Sequence, residues 1–250
     1  MRTIEHRLPL LLLVASVIAG MPVSDPARAV QPAGAGISCP APFAGIGTAT
    51  TYPGGTNHCG LDDGDGMAAA ISGVQWEGSI HCGECLEVAG PGGVAVVRVV
   101  EVCNECPVNT LDLQPAAWDA IAGQEPGMVE VAWQRVPCPV TGPIAIRLQA
   151  SNPFYLKLQV RNHRYGIAGV TLLHPDGPIV LPRAPDNHFE ASGFSPALVE
   201  PVEVMVTATT GERRVEAIQL LNDTDMPGSG QFVHCTTRVF EDGFETPPAP

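Results

Sequence analysis

The chain has 250 residues, only 16% of them charged, and a formal net charge of −13 at pH 7. A charge this negative argues against nucleic acid, an anionic membrane surface or an acidic polysaccharide as an electrostatic partner. Glycine (27 residues) and proline (25 residues) are abundant. This composition favours short strands joined by tight turns over long helices.

The first 29 residues have the features of a secretory signal peptide. Arg2 and Arg7 precede an apolar run at residues 9–20, and residues 27–29 form an A-x-A cleavage site. The apolar run is too short to cross a bilayer. We therefore predict a secreted, extracellular protein whose mature chain begins near Val30.

Residues 94–102 are almost uniformly apolar, which predicts a strand buried on both faces. Residues 114–123 predict a helix, with Pro115 in its first turn and Gly123 at its end.

Alternation of apolar and polar residues predicts half-buried strands later in the chain. In the run 128–136, Val129, Val131 and Trp133 would share one face. Residues 144–150 and 202–209 alternate in the same way. Both halves of the chain are therefore expected to be rich in β-structure.

The cysteines allow more than one chemistry. Cys82, Cys85, Cys103 and Cys106 have the spacing C-x2-C-x17-C-x2-C, which also suits a zinc ribbon. The chain has eight cysteines, an even number, and thiols pair in an oxidising compartment. We therefore favour disulfides over zinc, and predict no metal and no cofactor.

A stiff linker is predicted at residues 136–143, where three prolines and a glycine occur without periodicity. All cysteines but one precede its end, so the first domain is expected to be rich in disulfides. The predicted organisation is a signal peptide (1–29), an N-terminal segment (30–44), a first domain (45–138), a linker (139–143), a second domain (144–236) and an acidic tail (237–250).

Several stretches resemble one protein family in their order and spacing. In the first half, ATTYPGG (49–55), CGECLEV (82–88), TLDLQPAAW (110–118) and QRVPC (134–138) resemble expansins. In the second half, SNPFYLKLQVRNHRYG (151–166) and DNHF (186–189) resemble bacterial expansins. The resemblance implies an all-β fold: a six-stranded double-psi β-barrel followed by an immunoglobulin-like β-sandwich that binds cellulose.

The resemblance also implies a disulfide pattern. Cys59 would pair with Cys82, and Cys85 with Cys138. Cys103 and Cys106 would then form a local bridge, and Cys39 and Cys235 would join the two ends of the folded region.

The resemblance also implies a groove on the barrel and identifies the residues that would line it. Asp112 matches the aspartate that corresponds to the general acid of related glycoside hydrolases, although a turn or helix-cap aspartate is the alternative. Thr50 matches a threonine beside that aspartate, and Tyr52 matches an aromatic. Glu101 stands where expansins usually have an aspartate, and Cys103 where a well-known bacterial member has tyrosine.

No second carboxylate is assigned as a catalytic base. Asp62, Asp63 and Asp65 are interpreted as a solvated turn, with a weak calcium loop as the alternative, because the run lacks the glutamate and the spacing of an EF-hand. The resemblance therefore implies a groove that binds a glucan and loosens its contacts without cutting it.

The second domain should carry the cellulose-binding face. Phe154 and Tyr155 match two of the family's three surface aromatics, and Asp186 stands at the third position. Alternation places Leu156, Leu158 and Val160 inside, and Tyr155, Lys157, Gln159 and Arg161 outside. Strict alternation would bury Phe154, but it follows Pro153 and can precede the strand. His163 and His188 are interpreted as local structure.

The leading hypothesis is a monomeric, non-enzymatic protein that binds cellulose or a related, xyloglucan-like glucan and loosens cell walls. One alternative is a weak endoglucanase on the same barrel. Another is a module that only binds carbohydrate or peptidoglycan.

Overall fold

The computed structural model describes Cys39 and residues 42–55, 57–61, 64–123 and 127–235. The predicted signal peptide and acidic tail lie outside these residues. The first half contains β1 (Ala44–Thr51), β2 (Ala68–Ser72), β3 (Cys85–Gly90), β4 (Gly93–Cys103), β5 (Leu111–Leu113), α1 (Pro115–Ala122) and β6 (Val129–Val136).

The six strands close into a barrel in the order β1-β5-β2-β4-β3-β6. β1 and β5 run parallel, as do β2 and β4, while the other neighbours are antiparallel. Closure leaves no unpaired sheet edge, so the inward side chains share one core.

The predicted strand at 128–136 is confirmed as β6. Val129, Val131 and Trp133 all lie in the barrel core, and the side chains between them are more exposed. The Trp133 indole donates a 3.1 Å hydrogen bond to the Asn109 carbonyl, so the buried ring keeps a partner for its N–H group.

The strand predicted at 94–102 is present as β4, but burial on both faces is confined to its centre. Val97, Val99 and Val100 are fully buried, whereas Val94 is 64% exposed. Val94 lies beside the tight turn between β3 and β4, where Ala89 pairs with Val94 and Gly90 with Gly93.

The predicted helix is confirmed as α1. Pro115 occupies its first turn, and Gly123 follows its last residue with φ of 68°. Only glycine adopts this left-handed conformation without steric cost, so it suits the end of a helix.

The second half is a β-sandwich. Its strands are β7 (Ala145–Leu148), β8 (Tyr155–Arg161), β9 (Ile167–His174), β10 (Gly177–Leu181), β11 (Phe189–Ser192), β12 (Val202–Ala208), β13 (Arg213–Ile218) and β14 (Asp225–Pro227). One sheet has the order β10-β9-β12-β13 and the other β11-β8-β7-β14. The strands predicted at 144–150 and 202–209 appear as β7 and β12, and a single apolar cluster joins the two sheets.

The barrel and the sandwich meet through buried polar groups. The Ser79 hydroxyl donates a 3.0 Å hydrogen bond to the Ala184 carbonyl. His163 packs against Gly83, where an added Cβ would lie 2.5 Å from the imidazole. Burial, with the nearby positive charge of Arg98, lowers the pKa of His163 to about 4, so the imidazole is neutral at pH 7.

All eight cysteines are paired, and none is free. Cys59 bonds Cys82 and Cys85 bonds Cys138, the two pairs that the family resemblance implies. Cys103 bonds Cys106, and Cys39 bonds Cys235 across 196 residues. Within the described part of the chain, no helix has the length and apolar character to span a membrane.

Candidate functional site

A row of side chains crosses four strands of the barrel. Thr50 on β1 lies opposite Asp112 on β5, and Asp112 lies opposite Ala70 on β2. Ala70 in turn lies opposite Glu101 on β4. Residues at the same register position of neighbouring strands project to the same side of a sheet. The row therefore brings Thr50, Asp112 and Glu101, all predicted groove residues, onto one surface.

An open depression of about 350 Å³ lies over this row. Its wall is acidic and includes one aromatic ring and one end of a disulfide. The lining residues are Tyr52, Ala70, Glu101, Val102, Cys103, Asn104, Glu105 and Asp112.

Asp112 is held by the threonine beside it. The Thr50 hydroxyl donates a 2.7 Å hydrogen bond to Asp112 Oδ1. The residue that caps α1 is Gln114, and its side chain makes no capping hydrogen bond. The interpretation of Asp112 as a helix-cap residue is therefore wrong.

Glu101 is more constrained than the sequence indicates. Its carboxylate accepts hydrogen bonds from the Val102 amide at 2.8 Å and from the His58 amide at 3.2 Å. The His58 Nδ1 atom makes a further short contact to the same carboxylate. Sequence reasoning missed His58, because the pairing of residues 58 and 101 exists only in the folded chain.

The structure places some of the other residues considered in the sequence analysis in the depression and others outside it. Tyr52 lies in the depression, and its hydroxyl is 3.4 Å from the Gln114 side-chain amide. Asp62 and Asp63 lie outside the described residues. Asp65 is exposed and accepts a hydrogen bond from the Met67 amide, as in a solvated turn. Glu105, which the sequence analysis did not single out, lines the depression.

On the sandwich, Phe154 is 60% exposed, so the alternative that it packs in the core is wrong. Tyr155 begins β8, and its hydroxyl donates a 2.5 Å hydrogen bond to Glu190 on β11. This hydrogen bond raises the pKa of Tyr155 to about 12. The two rings are adjacent in sequence, and the second is fixed by a carboxylate.

Asp186, at the position where the resemblance implies an aromatic, forms an ion pair. Its carboxylate lies 2.8 Å from the Lys157 ammonium. Partial burial disfavours the charged form of Asp186, but Lys157 and His188 more than offset this and hold its pKa below the ordinary value. The candidate binding surface therefore combines the two rings of Phe154 and Tyr155 with a charged pair.

The expectation that Gln159 faces solvent is wrong. Leu156, Leu158 and Val160 are buried as predicted, but Gln159 is also buried, with 1% exposure. Its amide donates a 2.7 Å hydrogen bond to the Cys59 carbonyl of the barrel, and Arg161 donates to the Gly60 carbonyl at 2.6 Å. The C-terminal end of β8 is thus covered by the barrel loop that carries His58.

No protein-family model matches the chain. The chain is 30% identical over 200 residues to expansin-like protein 2 of Dictyostelium discoideum, covering 73% of this chain and 46% of that protein. It is 27% identical over 157 residues to expansin-YoaJ of Bacillus subtilis, covering 60% of this chain and 66% of that protein. The chain therefore spans only part of the curated relatives that it matches.

Two solved structures are matched over their entire length. The crystal structure of the Clavibacter michiganensis expansin aligns with a TM-score of 0.69 and 25% identity, over 77% of this chain and all of that one. An aspartate-to-asparagine variant of that protein, solved in complex with cellohexaose, aligns equally well.

The closed six-stranded barrel with a polar surface groove, followed by a β-sandwich, gives this chain the fold of the solved Clavibacter michiganensis expansin. The chain is thus similar to expansins both in sequence and in fold.

Proposed function

We propose that this protein is a secreted expansin that binds cellulose or a related cell-wall glucan and loosens the wall without hydrolysis. The observation that carries the proposal is the hydrogen bond from Thr50 to Asp112, a residue that lines an open depression. A structural neighbour's complex with cellohexaose supports a cellulose-like ligand. Four disulfides support an oxidising compartment outside the cytoplasm.

The sandwich surface and the barrel groove would have separate roles, the first in adhesion and the second in loosening. Phe154 and Tyr155 would stack on glucose rings and hold the protein to the polymer, with Lys157 contributing hydrogen bonds. The groove would hold a single glucan chain. Thr50 keeps the Asp112 carboxylate oriented, so Asp112 can accept hydrogen bonds from sugar hydroxyls that otherwise bond a neighbouring chain. Exchanging these hydrogen bonds loosens contacts between polymers and breaks no covalent bond.

A specific observation favours hydrolysis as the second candidate. Glu101 and Glu105 line the same depression as Asp112, so carboxylates other than Asp112 are present. Asp112 and Glu101 lie two strands apart, a Cα separation of about 10 Å. Inverting glycosidases place their two carboxyl groups about 6.5–9.5 Å apart. Against this candidate, both Glu101 oxygens already accept hydrogen bonds from the chain's own donors.

Product analysis separates the candidates. The protein is incubated with amorphous cellulose, xyloglucan and peptidoglycan, and the soluble fraction is examined for new reducing ends. The proposal expects binding to a glucan and no oligosaccharides above the buffer control. Oligosaccharides that accumulate over many turnovers would establish the hydrolase, and binding to peptidoglycan alone would move the target away from plant-type walls.

A further inference from the structure

Glu101 lines the groove, and the proposed function leaves its contact with His58 unexplained. Glu101 is nearly buried, whereas the His58 side chain is 60% exposed. A purely structural partner for a buried carboxylate would not need to hold its ring in solvent. The exposure of the His58 ring therefore suggests a function in contact with solvent or ligand at the edge of the groove.

The loop that carries His58 is fixed from both domains. The Asn57 side chain bonds the Leu61 backbone twice, at 2.7 and 3.0 Å. The Cys59 amide donates to the Val100 carbonyl at 3.1 Å, and Cys59 is disulfide-bonded to Cys82. From the sandwich, the buried Gln159 amide donates to the Cys59 carbonyl. The backbone beside His58 therefore has little freedom to move.

Glu101 selects one tautomer of the imidazole. Because a carboxylate only accepts hydrogen bonds, the contact with His58 requires a proton on Nδ1. The other nitrogen, Nε2, of the neutral ring then carries a lone pair, and it makes no hydrogen bond to any residue that the structure describes. A neutral imidazole in this state accepts a hydrogen bond from a hydroxyl, and a protonated one donates.

We propose that His58 contacts the glucan at the edge of the groove through Nε2, and that Glu101 is its positioning residue. The ligand class is a neutral β-glucan, whose hydroxyl groups match an imidazole nitrogen that has no partner among the described residues. Glu101 then acts through His58, while Asp112 contacts the chain directly. This inference rests on the proposed function, because it requires a glucan in the groove.

The charged surroundings suit a neutral ligand. Glu101 contacts His58 from β4, Glu105 and Asp112 line the same depression, and Arg161 reaches the Gly60 carbonyl two residues away. The carboxylates would repel an acidic polysaccharide, whereas an uncharged glucan feels no such repulsion.

The test is a titration of histidine-labelled full-length protein with cellohexaose, followed by nitrogen-15 NMR of the imidazoles. We expect the His58 Nε2 resonance to move on binding. His58→Asn keeps a donor for Glu101 but removes Nε2, and should weaken binding to the groove about three- to tenfold. Glu101→Gln should change the His58 Nδ1 resonance and weaken binding, and the double variant should lose no more than His58→Asn alone. The matched control is His234→Ala, an exposed histidine outside the groove.

The outcomes separate this inference from the proposed function. Cellohexaose that binds without moving the His58 resonance overturns the inference and leaves the proposed function standing. Wild-type affinity in His58→Asn, with the fold intact by thermal melting, overturns it as well. If wild-type protein binds neither cellohexaose nor cellulose, the proposed function fails, and the inference fails with it.

Discussion

Thr50 and Asp112 face each other across the parallel pair β1 and β5, and the threonine hydroxyl donates a 2.7 Å hydrogen bond to the aspartate. The two residues are 62 positions apart in sequence. A short β5 between two other strands places Asp112 at this point, and closure of the barrel places Thr50 beside it. Through Asp112, the pair forms part of the candidate groove.

Thr50→Val should reduce wall loosening while leaving the fold intact. The valine keeps the shape of threonine and removes the donor that orients Asp112, a hydrogen bond to a charged group of about 1.5–3 kcal/mol. Extension of wall strips under load measures the loss. Thr51→Val is the matched control, since the Thr51 hydroxyl donates to the Leu113 carbonyl instead. Equal activity in the two variants would show that the orientation of Asp112 has no part in loosening.

Phe154→Ala should weaken binding to crystalline cellulose at least tenfold. Covering a ring of this size stabilises the complex by about 1.5–3 kcal/mol, and the exposed side chain contributes little to the fold. Tyr155→Ala, added to it, should weaken binding further. A depletion isotherm gives both affinities.

The control for the surface formed by Phe154 and Tyr155 is the variant Val180→Ala. Val180 is 72% exposed and lies on the other sheet of the sandwich. It should bind like the wild type. If the Phe154 and Tyr155 double variant also binds like the wild type, the cellulose-binding surface lies elsewhere.

Removing the Cys39–Cys235 disulfide should lower the free energy of unfolding. The bridge closes a loop of 196 residues, for which chain entropy gives about 5 kcal/mol as an upper value. Denaturant unfolding of the Cys39→Ser/Cys235→Ser double variant measures the loss. A variant as stable as the wild type would mean that the bridge does not constrain the unfolded chain.

Acidification should destabilise the protein through His163. Its folded pKa of about 4 lies below the ordinary value of 6.5, so the unfolded state binds the proton more readily. The stabilisation is therefore complete above pH 6.5 and declines as the pH falls towards 4. Between pH 7 and 5 we expect a loss of about 2 kcal/mol from this group.

The variant His163→Asn isolates this effect, because asparagine can still donate to the Tyr165 carbonyl, the partner of Nδ1 at 2.8 Å. Denaturant unfolding at the two pH values should show a smaller decline in the variant. Equal declines in both proteins would mean that His163 is protonated in the folded state.

Sequence reasoning succeeds where a local pattern is sufficient. Alternation at Val129, Val131 and Trp133 places β6, because a strand with one buried face must alternate. Proline and glycine bound α1 through their own backbone preferences. These features depend on neighbours in sequence.

The sequence fails where a contact depends on the meeting of distant segments. Gln159 follows the outward pattern of β8, but the barrel covers it, and nothing in the alternation of β8 signals that cover. The partnership of His58 with Glu101 likewise requires the loop and β4 to be adjacent in space. Among the groove residues, the family resemblance identifies Asp112 and Thr50, which local patterns alone would have left as a turn and a strand residue.

The most direct test of non-hydrolytic loosening compares the wild type with Asp112→Asn on the same cellulose-rich wall strip under constant load. Extension and soluble sugar are recorded together. The account predicts that the wild type extends the strip without releasing sugar. Asp112→Asn should bind cellulose normally and give no extension, because an amide accepts hydrogen bonds more weakly than a carboxylate. Wild-type extension by Asp112→Asn, or reducing ends released in step with extension, would contradict it.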